Sequence, residues 1–196
     1  MKAESPRQKI LTYYYFIGEV MEVLQERHEE EKHLYNKIAT QVNEEVRLGI
    51  GELIAYDYFF GIVAKLALDH EIPPYIWHYP ISRIRGKKGA ELEKEMLSYH
   101  FPGKQETEII QAYDDFLAEL VATCKKEQAK ASQKHQALRK TDPIRSAIWG
   151  GARLLYYSIL AHIYNQAYLS FQVPIRDFLS QEDIDNEDLP PYLDMF

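Results

Sequence analysis

Apolar residues recur three or four positions apart over most of this chain, with polar residues between them. This spacing places the apolar side chains on one face of an α-helix. No segment alternates apolar and polar residues between turn residues, so no β-strand is predicted. The pattern therefore predicts an all-α protein, with a single bundle-like domain of five or six helices.

The first predicted helix begins at the amino-terminal end of the chain. Serine is a favourable N-cap, proline fits the first helical position, and glutamine completes a capping box, so Ser5, Pro6 and Gln8 mark a helix start. The helical spacing continues to about residue 46. Glycine weakens a helix interior, so the segment Gly49-Ile50-Gly51 is predicted to separate the first helix from the second.

The remaining helices are bounded by prolines, glycines and capping residues. Asp142 and Pro143 are the residue types favoured at an N-cap and in a first helical turn, so a helix is predicted to begin there. The helices predicted after the first cover, in chain order, about residues 52–70, 90–98, 105–139, 142–171 and 175–179.

Charge divides the chain into two parts, a helical domain at residues 1–176 and an acidic tail at residues 177–196. The chain has 30 acidic and 23 basic residues, and seven of the acidic ones lie in the tail, which has no lysine or arginine. The helical domain is therefore formally neutral. A charged segment that ends in apolar residues is typical of a mobile docking element rather than of a folded one.

The tail predicts a linear motif that binds another protein. Its acidic residues would steer it toward a basic partner, and its apolar residues would anchor it in a groove. Two other roles stay open: packing on the chain's own helical domain, or adding solubility alone. The predicted partner-binding residues are Leu189, Pro190, Pro191, Tyr192, Leu193, Met195 and Phe196.

Basic residues are concentrated in two segments. Arg83, Arg85, Lys87 and Lys88 lie in a long predicted connection and form a weak candidate site for an anion or a nucleic acid. A formally neutral domain argues against nucleic acid as the main partner. The second segment, residues 125–145, holds seven basic residues. The acidic tail could lie across this second segment until a partner displaces it.

One acidic helical stripe is the candidate metal site. Glu26, Glu30 and His33 contain the only Glu-x-x-His spacing of the chain. A di-metal bundle needs two such motifs, so a standard di-iron site is not expected. A mononuclear site stays open beside the simpler interpretation, a solvated helix face. Gly150-Gly151 has two interpretations as well: a close helix crossing, or a ligand cavity.

The remaining features concern cysteine chemistry, membrane insertion and the cellular compartment. Cys124 is the only cysteine, so neither a disulfide within the chain nor a cysteine-based zinc site is possible. The apolar run 148–164 contains Arg153 and His162, which favours a buried core helix over a membrane span. The amino-terminal segment lacks the apolar core of a signal peptide, and we expect a cytoplasmic protein.

Together these features favour binding over catalysis. We expect a soluble, non-enzymatic adaptor or regulatory subunit that uses an aromatic-rich helical surface and the acidic tail. Its partner would be another protein, in a larger assembly, and no cofactor is predicted. The alternatives are a helical-bundle enzyme that binds a metal or a ligand, and an anion-binding or nucleic-acid-binding protein that uses the 83–88 segment. The oligomeric state stays open.

Overall fold

The computed structural model of the protein describes residues 5–38, 44–72, 101 and 103–171. The predicted all-α class is confirmed for these ranges, in which every regular element is a helix. The helices predicted at 90–98 and 175–179 lie outside the described residues. The four helices are α1 (Pro6–Ile38), α2 (Glu44–Asp69), α3 (Glu106–Leu138) and α4 (Pro143–Phe171).

Two helix starts form as their capping residues predict. At the start of α1, the backbone N–H of Gln8 donates to Ser5 Oγ at 3.3 Å, and the Ser5 N–H donates to Gln8 Oε1 at 3.2 Å. At the start of α4, the Arg145 N–H donates to Asp142 Oδ1 at 3.1 Å. Each cap satisfies backbone donors that have no partner within the helix, which fixes where the helix begins.

The predicted helix break at Gly49-Ile50-Gly51 is wrong, because these residues lie inside α2. Their glycines serve a helix crossing instead. A Cβ atom on Gly51 would lie 1.9 Å from the Ile148 carbonyl oxygen of α4, and a Cβ on Gly151 would lie 2.0 Å from the Leu48 carbonyl oxygen of α2. Gly51 therefore lies against the carbonyl of Ile148, and Gly151 lies against the carbonyl of Leu48. These contacts confirm the close helix crossing predicted for Gly150-Gly151.

Contacts between helix ends give the direction of each helix. Arg7 forms a 2.5 Å ion pair with Glu106, and the Tyr13 and Tyr113 rings stack with centroids 5.3 Å apart, so α1 and α3 run parallel. Lys130 of α3 lies over Tyr58 of α2, whereas Glu119, earlier on α3, contacts His70 just after α2, so α2 runs antiparallel to α3. Since α4 returns from α3 after a short turn, the four helices alternate in direction.

The core forms around α4, which the other three helices cover. Twelve of its residues are buried, and only Ser146 is polar among the buried residues described. The run 148–164 is therefore a core helix, as predicted. No helix in the described part of the chain is long and apolar enough to cross a membrane. Fully burying a large apolar side chain contributes roughly 1.5–3 kcal/mol, so this central helix organises the bundle.

Candidate interaction surface on α2 and α3

Two of the predicted sites fall outside the described residues. These are the acidic tail, residues 177–196, with its apolar motif at 189–196, and the basic segment 83–88. The basic segment at residues 125–145 and the acidic stripe of α1 lie within the described residues. The structure therefore bears on the surfaces that could receive a partner or the tail.

α2 exposes three large apolar side chains, Ile54, Tyr58 and Leu68, and the first two lie one helical turn apart. Ile54 is 59% exposed and Tyr58 is 53% exposed. Val63 and Ala67 of the same helix are buried. Single exposed apolar residues are common on protein surfaces, whereas adjacent ones bordered by polar residues often mark an interaction site. Ile54 and Tyr58 therefore make this face of α2 a candidate contact surface.

A lysine of α3 covers part of the Tyr58 ring. Lys130 Nζ lies 5.9 Å from the ring centroid, within the range of a cation–π contact. The same Nζ donates to Glu127 Oε2 at 2.9 Å, and the Glu127 side chain is only 12% exposed. This hydrogen bond is the main cause that raises the pKa of Lys130. Glu127 therefore holds the lysine, fully charged, beside the aromatic ring.

Two further lysines extend the positive charge along α3. Lys126 and Lys134 lie one turn before and one turn after Lys130, on the same face of the helix, and both are exposed. Because α2 and α3 are antiparallel, Ile54 falls on the Lys134 side of Tyr58. We call the group the α2–α3 surface, and it consists of Ile54, Tyr58, Lys126, Lys130 and Lys134.

Beneath this surface lie Glu127, which is paired with Lys130, and two neutral buried groups. Tyr156 is buried, and its hydroxyl has no hydrogen-bond partner within the described ranges. Burial raises the pKa of Tyr156 and raises that of the Cys124 thiol to about 12. Both groups therefore stay protonated at neutral pH, so Cys124 is a core residue rather than a nucleophile. The α2–α3 surface offers an aromatic ring, an aliphatic side chain and three cations, which suits an acidic, apolar ligand.

The acidic stripe of α1 is solvated. Glu26, Glu30 and His33 are exposed, and the part of the chain that the structure describes contains no group of three side chains able to hold a metal ion. Two other carboxylates, Glu31 of α1 and Glu52 of α2, interact near this stripe. Burial, and then the charge of Glu31, raises the pKa of Glu52 to about 7. The sequence pattern did not indicate this pair, because its members lie on different helices.

An open cleft of about 460 Å³ lies between the end of α2 and the start of α3. Acidic residues dominate its lining, and His70 Nε2 lies 2.8 Å from Glu119 Oε2 beside it. The acidic residues of the lining are Asp69, Glu71, Glu108 and Asp115. Asp69 and Glu71 are paired with Lys65 and Lys104, so Glu108 and Asp115 are the lining carboxylates that would repel an anionic ligand.

Comparisons with known proteins add no relative. No protein-family model, curated protein or solved structure matches this chain. Its function therefore has to be argued from its own residues.

The sequence pattern did not indicate the apolar part of the α2–α3 surface, Ile54 and Tyr58. Their four-residue spacing was visible in the sequence. It could not be told from a second buried face, because α2 is apolar on several sides.

Proposed function

We propose that this chain is a non-enzymatic adaptor or regulatory subunit that binds another protein. Two elements would make the contact: the α2–α3 surface on the helical domain, and the acidic tail at residues 177–196. The partner would engage both, as a component of a larger assembly. The motif at residues 189–196 would supply apolar anchors, and the tail's acidic residues would speed association with a basic partner.

The exposure of Tyr58 beside Lys130 is the observation that carries this proposal. Tyrosine is among the residues that contribute most to protein interfaces, because its ring buries a large area at low entropic cost. Burying Tyr58 and Ile54 against a partner would remove both from water. Removing apolar area from water yields about 25 cal/mol per Å² before the costs of association.

A matched pair of variants tests the proposal. Tyr58→Ser removes the ring from the α2–α3 surface, whereas Leu34→Ser removes a side chain of similar exposure from α1, 52% against 53%. Each full-length protein captures partners from an extract of its native cell, and mass spectrometry identifies them. The partner is then purified and its Kd measured directly.

We expect the partner's Kd to rise at least tenfold with Tyr58→Ser and to stay unchanged with Leu34→Ser. A tenfold change corresponds to about 1.4 kcal/mol, the scale on which interface residues are judged important. If the partner bound the parent chain, Tyr58→Ser and Leu34→Ser with equal affinity, a role for the α2–α3 surface in binding would be contradicted. If the parent chain captured no partner from the extract, the adaptor function itself would be contradicted.

A further inference from the structure

We propose that in the free protein the acidic tail, residues 177–196, occupies the α2–α3 surface of its own chain. The inference uses the surface on which the proposed function rests, and it names what lies there before a partner arrives. The adaptor would then bind its partner by exchanging this internal contact for an external one.

The chemistry of the two elements is complementary. The α2–α3 surface presents Ile54 and Tyr58 beside three lysines of α3, and all five side chains reach solvent. The tail carries seven acidic residues, no basic residue, and five apolar side chains near its end. One element therefore offers Lys126 and Lys134, with the Glu127-paired Lys130 between them, beside an apolar patch, and the other offers anions followed by apolar anchors. Such pairing favours association in one orientation over others.

The tail is long enough to reach this surface. α4 ends at Phe171, whose ring lies 4.9 Å from the Tyr13 ring at one end of the bundle. Tyr156, which lies beneath the surface, precedes Phe171 on α4 by a distance of roughly 22 Å at 1.5 Å per residue. Eleven residues after α4 span at most about 36–40 Å when fully extended. The acidic residues from Glu182 onward can therefore lie against the lysines of α3.

The charge at the end of the bundle argues for the same placement. α4 ends at Phe171 near the start of α3, where the acidic cleft lies. Asp69 and Glu71 of the cleft are paired with lysines, but Glu108 and Asp115 would repel the acidic residues of the tail, since like charges in contact raise the free energy of the complex. The lysines at 126, 130 and 134 lie farther along the bundle and attract them. Of these two surfaces, the α2–α3 surface is the one that fits the tail.

Pulsed electron spin resonance on the full-length chain tests this contact. One spin label replaces Gln133 on α3 (Gln133→Cys) and another replaces Asn186 in the tail (Asn186→Cys), which is neither an acidic residue nor an apolar anchor. The native Cys124 is fully buried and does not compete for the label. Each sample is measured before and after dilution with unlabelled protein, so that distances within one chain are separated from distances between chains. Circular dichroism confirms that every variant is folded.

Two charge variants of the doubly labelled chain complete the design. Lys126→Glu with Lys134→Glu reverses the charge on the α2–α3 surface. Arg139→Glu with Lys140→Glu changes the net charge equally, beyond the end of α3. All four residues are exposed, so both variants should fold.

We expect a narrow distance distribution for the parent chain and for the Arg139/Lys140 variant. We expect that distribution to become broad in the Lys126/Lys134 variant, and in about 1 M salt, where the screening length falls to roughly 3 Å. A broad distribution in the parent chain, or an equal loss in both variants, would overturn the inference. A narrow distribution that disappears on dilution with unlabelled protein would overturn it too, since the tail would then bind a second copy. None of these results bears on partner capture, which tests the proposed function separately.

Discussion

His135 and Ser146 each donate a hydrogen bond to the other's main-chain carbonyl across the turn between α3 and α4. His135 Nδ1 lies 2.8 Å from the Ser146 carbonyl oxygen, and Ser146 Oγ lies 2.8 Å from that of His135. The ring nitrogen must carry the hydrogen in this contact, because a carbonyl can only accept. The two bonds tie the end of α3 to the first turn of α4, next to Gly150, whose Cβ position would meet the His135 ring.

Ser146→Ala should therefore weaken the α3–α4 connection. The substitution removes a buried donor and leaves the His135 carbonyl without that bond, which costs about 1–3 kcal/mol. Urea denaturation of the variant and of the parent measures the loss of free energy of unfolding. Gln133→Ala, at an exposed position of α3, should change that free energy by less than about 0.5 kcal/mol. Equal values for both variants would show that the paired bonds do not stabilise the fold.

The crossing of α2 and α4 predicts opposite effects for alanine at two glycines of the same helix. Gly51→Ala would force a methyl group against the Ile148 carbonyl, whereas a Cβ on Gly61 meets nothing within 4 Å. Overpacking costs roughly 1–3 kcal/mol, and more where backbone must move, while alanine in an open helical position stabilises by about 0.5–1 kcal/mol. Thermal unfolding should give a lower Tm for Gly51→Ala and a higher one for Gly61→Ala. A stable Gly51→Ala protein would disprove the close crossing.

The same glycines show what sequence reasoning can and cannot reach. Ser5 and Asp142 cap their helices through bonds to residues three positions away, so local sequence is enough to predict both starts. Gly51 lies against a carbonyl of α4, nearly a hundred residues further along the chain. Local propensity reads it as a helix break, because the contact that requires glycine there is not local.

The α2–α3 surface likewise depends on a contact between residues that are far apart in the sequence. Lys130 and Tyr58 belong to different helices, and their contact follows from how α2 and α3 pack. The sequence indicated a basic segment at 125–145 but not the aromatic ring beside it. Helical periodicity predicts which residues share a face of one helix, but not which faces of two helices meet.

Glu52 should make the protein less stable as pH rises. Burial and the neighbouring Glu31 raise the pKa of Glu52 from 4.5 to about 7 in the folded chain. The folded state therefore holds this proton more tightly, and stability decreases as pH increases from about 4.5 through 7. Glu52→Gln keeps the shape and removes the charge. We expect its Tm to exceed that of the parent by more at pH 8 than at pH 5, in unfolding scans at both values. A constant difference would contradict the assignment.

His162 should make the protein less stable as pH falls. Burial first, and then the positive charge of Arg27, lowers the pKa of His162 below its ordinary value of 6.5. The unfolded chain therefore binds the proton more readily, and stability falls as pH drops below about 6.5. His162→Gln removes this titration. Its Tm should decrease less than that of the parent between pH 7 and pH 5, and an unchanged acid sensitivity would count against the proposed origin.

Cys124 should be inert to thiol reagents while the chain is folded. Its side chain is fully buried, and burial raises its pKa to about 12, so the reactive thiolate is scarce at neutral pH. We expect the absorbance of a disulfide-exchange reagent to report no reaction in buffer and one thiol per chain in denaturant. Rapid labelling of the native protein would mean that the core around Cys124 opens readily.

Photo-crosslinking from position 58 tests whether the α2–α3 surface binds a partner protein. A photoreactive phenylalanine analogue replaces Tyr58 in one full-length protein and Leu34 in a second, both of which are about half exposed. Each is irradiated in an extract of its native cell. We expect a covalent adduct with one partner protein from position 58 and none from position 34. The same adducts from both positions, or none from position 58, would contradict binding at this surface.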